Sequence, residues 1–503
     1  MADTKREIER KYESDESGLP DLTGVAGVAA VVDKGVVQLD AVYYDTADER
    51  LAADSITLRR RTGGSDAGWH LKFPVGPGVR DEIQAPLSDT LPRTLAGLIR
   101  SRLRDTGLEP LVRLRSDRDV RDLVDAGGRV LAEVGVDSVH AERLTGGGGS
   151  AQWTEIEVEL ADGGDPAFLD KVEKRLRKAG VRPSSSASKL ARALVETTPK
   201  KDRKKRRARP SPEPVTAGDH VLAYVRAQRD TIVELDPAVR RDVFDSVHRM
   251  RVATRRMRSA FRSYGKVLDR AVTDPVGEEL KWLAGELGVD RDMEVLTERL
   301  TESLGAVPRT LISGPVRTRL RTWANAKRGG SRRRLIGVLD SKRYLTLLDT
   351  LDALVAEPPL LEAAAGKPAK VIAKAVRKDF AKVSALVEQG LELPPGHDRD
   401  LALHEARKKA KRSRYSSEAA VPALGDPAAD LVKSMKSLQN LLGDHQDSVI
   451  TRQTLRELSA VAHAAGESSF TYGVLYGREE QRASTDEAEL PGLWKEITGG
   501  TNI

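Results

Sequence analysis

A chain of 503 residues, 39% hydrophobic and 32% charged, is long enough for two or three domains with genuine cores. It has no cysteine, which excludes disulfides, thiolate zinc sites and thiol catalysis. The net charge of +7 equals the excess of one segment, KKDRKKRRAR at 200–209, with eight basic residues and one acidic residue.

The N-terminal MADTKREIERKYESDE lacks an apolar stretch, and no run of about 18 apolar residues occurs in the chain. A soluble, cytoplasmic protein with no membrane partner is therefore expected. Period-two alternation predicts strands near 5–12, 38–45, 55–61, 68–73, 80–85, 111–118, 129–135 and 152–160. Helices are expected over 91–105 and 166–179. The stretch 197–217 joins a like-charge block to a Pro-rich run and reads as a linker, either a solvated spacer or an added anchor for a polyanion. From 219 onward the period becomes about 3.6, the spacing of amphipathic helices. The expected architecture is α+β followed by all-α. An eight-stranded antiparallel β-barrel spans 1–197, a basic linker 198–217, and a duplicated helical bundle 218–497.

Side chains alternate across a strand. Glu7, Glu9 and Lys11 thus share one face, as do Arg59 and Arg61, Arg80 and Glu82, Arg113 and Arg115, and Glu155, Glu157 and Glu159. Lys72 and Glu133 each stand opposite apolar neighbours. If these faces line a closed barrel, its lumen collects many buried charges, which are costly unless paired. Such a lumen suits a polyanion that carries metal: Arg and Lys neutralise phosphate oxygens, and clustered Glu binds hard Mg2+ or Mn2+. A sheet with a solvated charged face fits the same alternation.

The strand motifs resemble the CYTH, or triphosphate tunnel metalloenzyme, family. Glu7-Ile8-Glu9-Arg10-Lys11 matches its ExExK signature, Tyr43-Tyr44-Asp45-Thr46 its YYDT, and Leu58-Arg59-Arg60-Arg61 its LRxR. Leu71-Lys72, Glu82, the Arg113/Arg115 strand, the Glu155–Glu159 strand and Ser188-Lys189 follow in family order. The resemblance implies a tunnel in which Glu7 and Glu9 bind metal, helped by two of Glu155, Glu157 and Glu159. Lys11, Arg59, Arg61, Lys72, Arg113, Arg115 and Lys189 would hold phosphates, and Glu82 and Glu133 would orient basic residues or metal-bound water. The implied reaction is hydrolysis of inorganic triphosphate or short polyphosphate with Mg2+ or Mn2+. Thiamine-triphosphate hydrolase and adenylate cyclase activities also occur in the family.

The helical half contains a duplication. Aligning His248 with His404 sets Arg251 on Arg407, Arg255 on Lys411 and Arg258 on Arg414. About forty residues on, LGVDRD at 287–292 matches LGDHQD at 442–447. Offsets of 0, 3, 7 and 10 fall on one helical stripe, so each helix carries a cationic row beside an apolar one. Two such rows facing each other make sense around a wet polyanion. The pattern closely resembles the CHAD domain, an all-helical family associated with polyphosphate. That resemblance implies binding through His248, Arg251, Arg255, Arg256, Arg258, His404, Arg407, Lys408, Lys411, Arg412 and Arg414, with Asp292 and Asp447 pinning helices. The alternative is a binding protein that docks on polyphosphate granules with an inactive barrel. Nucleic acid is a third reading of the basic helices, disfavoured because six Phe and nine Tyr offer few stacking platforms.

Overall fold

The computed structural model describes residues 4–14, 18–146, 148–198, 213–328 and 330–500, without the side chains at 290–292, 327, 328 and 331. Residues 199–212 of the linker, which contain its whole basic block, therefore lie outside the described residues. The chain forms two compact units, residues 1–211 and 212–503.

In the first unit one antiparallel sheet contains β1 (Thr4–Glu13), β2 (Ala30–Asp45), β3 (Thr57–Thr62), β4 (Gly68–Gly76), β5 (Val79–Pro86), β6 (Glu109–Val124), β7 (Val130–Arg143), β8 (Ser150–Leu160) and the short β9 (Arg182–Pro183). The order runs β5-β4-β3-β2-β6-β7-β8-β1, and β1 also pairs with β5, so eight strands close into a ring. β1 makes the closure by dividing its length: Thr4–Ile8 pairs with β5 and Glu9–Glu13 with β8. Closure leaves no long unpaired edge. β2 begins well before the alternation predicts, because a register shift between Asp33 and Gly35 interrupts the period.

The apolar faces of the strands point outward. Helices α1 (Arg50–Ala53), α2 (Arg93–Leu98), α3 (Arg100–Leu103), α4 (Ala167–Lys178) and α5 (Lys189–Glu196) accompany them. Ala132, Val134, Ile156 and Val158 pack beneath Phe168, Leu169, Val172 and Leu176 of α4. Leu58, Trp69, Leu71 and Ile83 pack beneath Leu95, Leu98 and Ile99. Each such burial contributes roughly 1.5–3 kcal/mol, which fixes the register and turns the charged faces to the lumen. One end of the barrel inverts this rule. There Leu190, Ala193 and Leu194 of α5 pack on the inward-facing Ala41, Tyr43, Val112, Leu114, Val139 and Trp153. Ser188 caps α5 by accepting the Ala191 N–H at 3.1 Å, which sets Lys189 at the first helical position.

The second unit is helical: α6 (Ala217–Arg240), α7 (Ser246–Ser263), α8 (Arg270–Glu286), α9 (Gly288–Gly305), α10 (Val316–Arg328), α11 (Ser331–Asp340), α12 (Lys342–Ala356), α13 (Pro368–Glu392), α14 (His397–Leu424), α15 (Asp426–Ala464) and α16 (Phe470–Gly500). The duplication is structural as well. α6, α7 and α8–α9 correspond to α13, α14 and α15; Leu287, itself in helical conformation, joins α8 to α9 where α15 runs unbroken. α7 and α14 pack together. Met250, Ala253, Met257 and Phe261 of the first, and Leu403, Ala406 and Ala410 of the second, enter one core. Among the described residues no helix is long and apolar enough to cross a membrane.

Candidate functional site

A cavity of about 770 Å³ fills the barrel lumen, lined by nine basic and nine acidic side chains. The charges are sorted by wall. Strands β1 and β8 supply Glu7, Glu9, Glu157 and Glu159, with Lys5 and Lys11 among them. Across the ring, β3 supplies Arg59 and Arg61, joined by Lys72 from β4 and Arg118 from β6.

Carboxylates hold the cations nearest the acidic wall. Lys189 reaches Asp137 at 3.0 Å, Glu155 at 2.8 Å and Glu157 at 2.5 Å. These three buried carboxylates each offer an oxygen within 4.8 Å of the others. Arg118 forks onto Asp137 at 2.8 and 2.7 Å and also donates to Glu157. Lys11 donates to Glu9 at 3.1 Å and to Glu157. Lys72 donates to Glu7 at 2.5 Å and approaches Glu82 at 3.5 Å. His70 holds Glu82 from the other side at 2.7 Å.

Burial pushes Glu7 up to about 7, with Lys72 opposing it. Burial also works against the charged form of Glu82, but the hydrogen bond to His70 and the charge of Lys72 outweigh it and hold that carboxyl far below its ordinary value. Among the guanidiniums, burial and the nearby Arg59 and Arg118 push Arg61 down to about 9. Arg61 thus lies beside two other guanidiniums; it donates to Asp66, while Arg118 is held by Asp137 and Glu157.

Of the expected tunnel residues, Lys11, Arg59, Arg61, Lys72, Glu82, Glu133, Lys189, Glu7, Glu9, Glu157 and Glu159 line the cavity. Glu133 and Glu159 are register partners near Lys5, which bonds Glu159 at 2.6 Å. Glu155 lies deeper, against α5, and accepts the indole N–H of Trp153 at 2.6 Å. Arg113 and Arg115 stand elsewhere, which corrects the expected lumen placement. They point outward, where Arg113 grips Asp40 at 2.9 and 2.5 Å and Arg115 lies 3.9 Å from it. Arg118 takes the inward place on β6. The reason is α5: its apolar face needs Val112 and Leu114 inside, and that parity carries Arg118 inward too. Sequence reasoning also missed Asp137, whose alternation with Glu133 along β7 was available as a signal.

In the helical unit the basic rows of α7 and α14 converge on Lys411. Burial, its own helix's Arg407, and Arg255 and Arg251 of α7 push Lys411 down to about 7, against Asp447 of α15. The Nε atoms of Arg258 and Arg407 and Nδ1 of His404 are buried without a hydrogen-bond partner among the described residues. His248 is exposed. Four other predicted cations are tied to carboxylates. Arg256 and Arg414 donate to Glu418 at 2.8 and 3.0 Å, Arg412 to Asp379 at 2.8 Å, and Lys408 pairs with Glu405. The side chain of Asp292 lies outside the described residues.

A closed antiparallel ring around a charged lumen defines a tunnel, and twinned basic helices define the second unit. Residues 5–194 match the CYTH domain and residues 223–456 the CHAD domain. An uncharacterized protein of Mycobacterium tuberculosis (strain CDC 1551 / Oshkosh) is 39% identical over 508 residues, covering 98% of this chain and 96% of that protein. Among solved structures, PptA from Streptomyces chartreusis is 19% identical with a TM-score of 0.49, covering 56% of this chain and 100% of that one. The CHAD domain from the plant Ricinus communis is 22% identical with a TM-score of 0.43, covering 59% and 96%. The chain belongs to the family of proteins that join a CYTH domain, a metal-dependent triphosphate tunnel fold, to a CHAD domain.

Proposed function

We propose that the barrel hydrolyses inorganic triphosphate or short polyphosphate with Mg2+ or Mn2+, and that the helical unit binds polyphosphate. The observation that carries this reading is a single cavity lined by Arg59, Arg61 and Arg118 together with the carboxylates of Glu7, Glu9, Glu157 and Glu159. Nine cations and nine carboxylates cancel, so a highly charged anion has to enter with cations of its own. The hard oxygens of Glu7, Glu9, Glu157 and Glu159 fit Mg2+ or Mn2+. Such an ion neutralises phosphate charge and acidifies a bound water. Arg59, Arg61 and Arg118 take the phosphate oxygens, while Lys11 and Lys189 keep Glu9 and Glu157 ionised and Lys72 holds Glu7 in place. Water oxygen bonds to the terminal phosphorus as the bridging P–O bond breaks, giving phosphate and diphosphate. Positioning and electrostatic stabilisation carry the rate.

Phosphate release from tripolyphosphate with Mg2+ or Mn2+ tests the reading, alongside long polyphosphate, ATP and thiamine triphosphate. Glu7→Ala combined with Glu9→Ala is expected to abolish it; unchanged release would rule the proposal out. The corrected register gives a second expectation. Arg118→Ala should cost about 10²–10³ in kcat. Arg113→Ala and Arg115→Ala should stay within about twofold of wild type, since each leaves an exposed ion pair. Steady-state kinetics on the three variants distinguishes inner from outer arginines.

A further inference from the structure

Gly288 and Gly443 occupy equivalent places in the two repeats, 37 residues after Arg251 and 36 after Arg407. A Cβ at Gly288 would stand 2.7 Å from Nη2 and 2.8 Å from Cζ of Arg251. At Gly443 it would stand 3.3 Å from Nη2 of Arg407. In both repeats the aligned guanidinium therefore lies against a glycine: a Cβ at Gly288 would displace Arg251, and one at Gly443 would press on Arg407 by a few tenths of an ångström. These two arginines are the ones aligned by the duplication, and both act on Lys411. Gly443 lies inside α15, where glycine weakens a helix relative to alanine, so helix stability does not account for it; Gly288 opens α9 at its junction with α8. The barrel repeats the arrangement independently: a Cβ at Gly135 would stand 3.1 Å from Nε of Arg118.

We infer that Gly288 and Gly443 are positioning residues for polyphosphate, each a shelf that sets the height and tilt of one phosphate-facing guanidinium. The inference rests on the reading of the helical unit as a polyphosphate binder. A methyl group at either position meets the far end of a flexible side chain, not backbone. The fold yields easily while the guanidinium is displaced. Phosphate recognition by a planar fork is sensitive to such displacement.

The test uses the full chain and polyphosphate of defined length, with Kd measured over a range of salt and Tm measured in parallel. Gly288→Ala is expected to weaken binding about fivefold to tenfold and to flatten the salt dependence. Its Tm should be equal to or above wild type. Gly443→Ala, with its wider gap, should show a smaller loss. Gly285→Ala on α8, where a Cβ meets open space, should bind as wild type. Arg251→Gln is the reference. If Arg251→Gln binds as wild type, the polyphosphate reading of this row fails. If it weakens binding while Gly288→Ala does not, the shelf is refuted. A Gly288→Ala that loses affinity together with Tm also overturns it, unless Gly443→Ala loses affinity with Tm intact.

Discussion

Replacing Glu157 by Gln is expected to lower phosphate release from tripolyphosphate by about 10³-fold or more. Glu157 is the carboxylate on which the tunnel's cations meet, since Lys11, Lys189 and Arg118 all bond to it. It is buried and held well below its ordinary carboxylate value: burial opposes the charge, and Lys11, Lys189 and Arg118 overcome that opposition. The amide keeps the shape and removes the charge. Three buried cations then share fewer carboxylates, and breaking such a network costs roughly 3–5 kcal/mol. Lost activity alone would therefore be ambiguous, because an unfolded barrel is also inactive. The charge balance supplies the second readout. With one carboxylate gone the lumen becomes net positive, so tripolyphosphate without metal should raise the variant's Tm more than it raises wild type's. Inactivity with that enhanced rescue identifies a folded tunnel that has lost its metal-side anchor. A folded Glu157→Gln variant that releases phosphate at the wild-type rate would remove Glu157 from the mechanism.

The strand positions of the tunnel were legible because a buried strand with one apolar face must show its period. β8 is the clearest case: Ile156, Val158 and Leu160 go under α4, which leaves Glu155, Glu157 and Glu159 no choice but the other face. β6 defeated the same logic. Arg113 and Arg115 alternate with Val112 and Leu114, so the usual rule assigns the arginines to the charged lumen. The rule assumes that the apolar face is covered from outside. Here α5 covers it from within, and no local pattern in β6 announces a helix that arrives some seventy residues later. The helical rows show a related limit. Spacing places cations on a stripe, and the stripe was there, but spacing does not count the acids across from it. Glu418 claims Arg256 and Arg414, and Asp379 claims Arg412, through contacts made by tertiary packing. Around Lys411 the guanidiniums of Arg251, Arg255 and Arg407 converge.

That convergence gives polyphosphate binding a direction in pH. Affinity is expected to fall as pH rises from about 7 to 9, by up to tenfold per unit. Lys411 is pushed down to about 7 by burial and by Arg407, Arg255 and Arg251, with Asp447 opposing. A polyanion laid along the row raises the affinity of Lys411 for its proton. Above pH 7 binding must therefore take up a proton, and the cost of that uptake grows with pH. The free fold responds the opposite way. An unfolded lysine titrates near 10.5, so between about 7 and 10.5 the unfolded state holds the extra proton, and this group's contribution to stability rises with pH. One residue thus predicts weakening affinity and improving stability over the same window. Kd measured from pH 6 to 9 at constant ionic strength, with calorimetry in two buffers of different ionisation enthalpy, reads the proton directly. Lys411→Arg keeps its charge throughout and should flatten both trends, binding at pH 9 nearly as it does at pH 7. If wild type binds equally at both pH values, or Lys411→Arg shows the wild-type slope, then Lys411 is not where the polyanion meets the two rows.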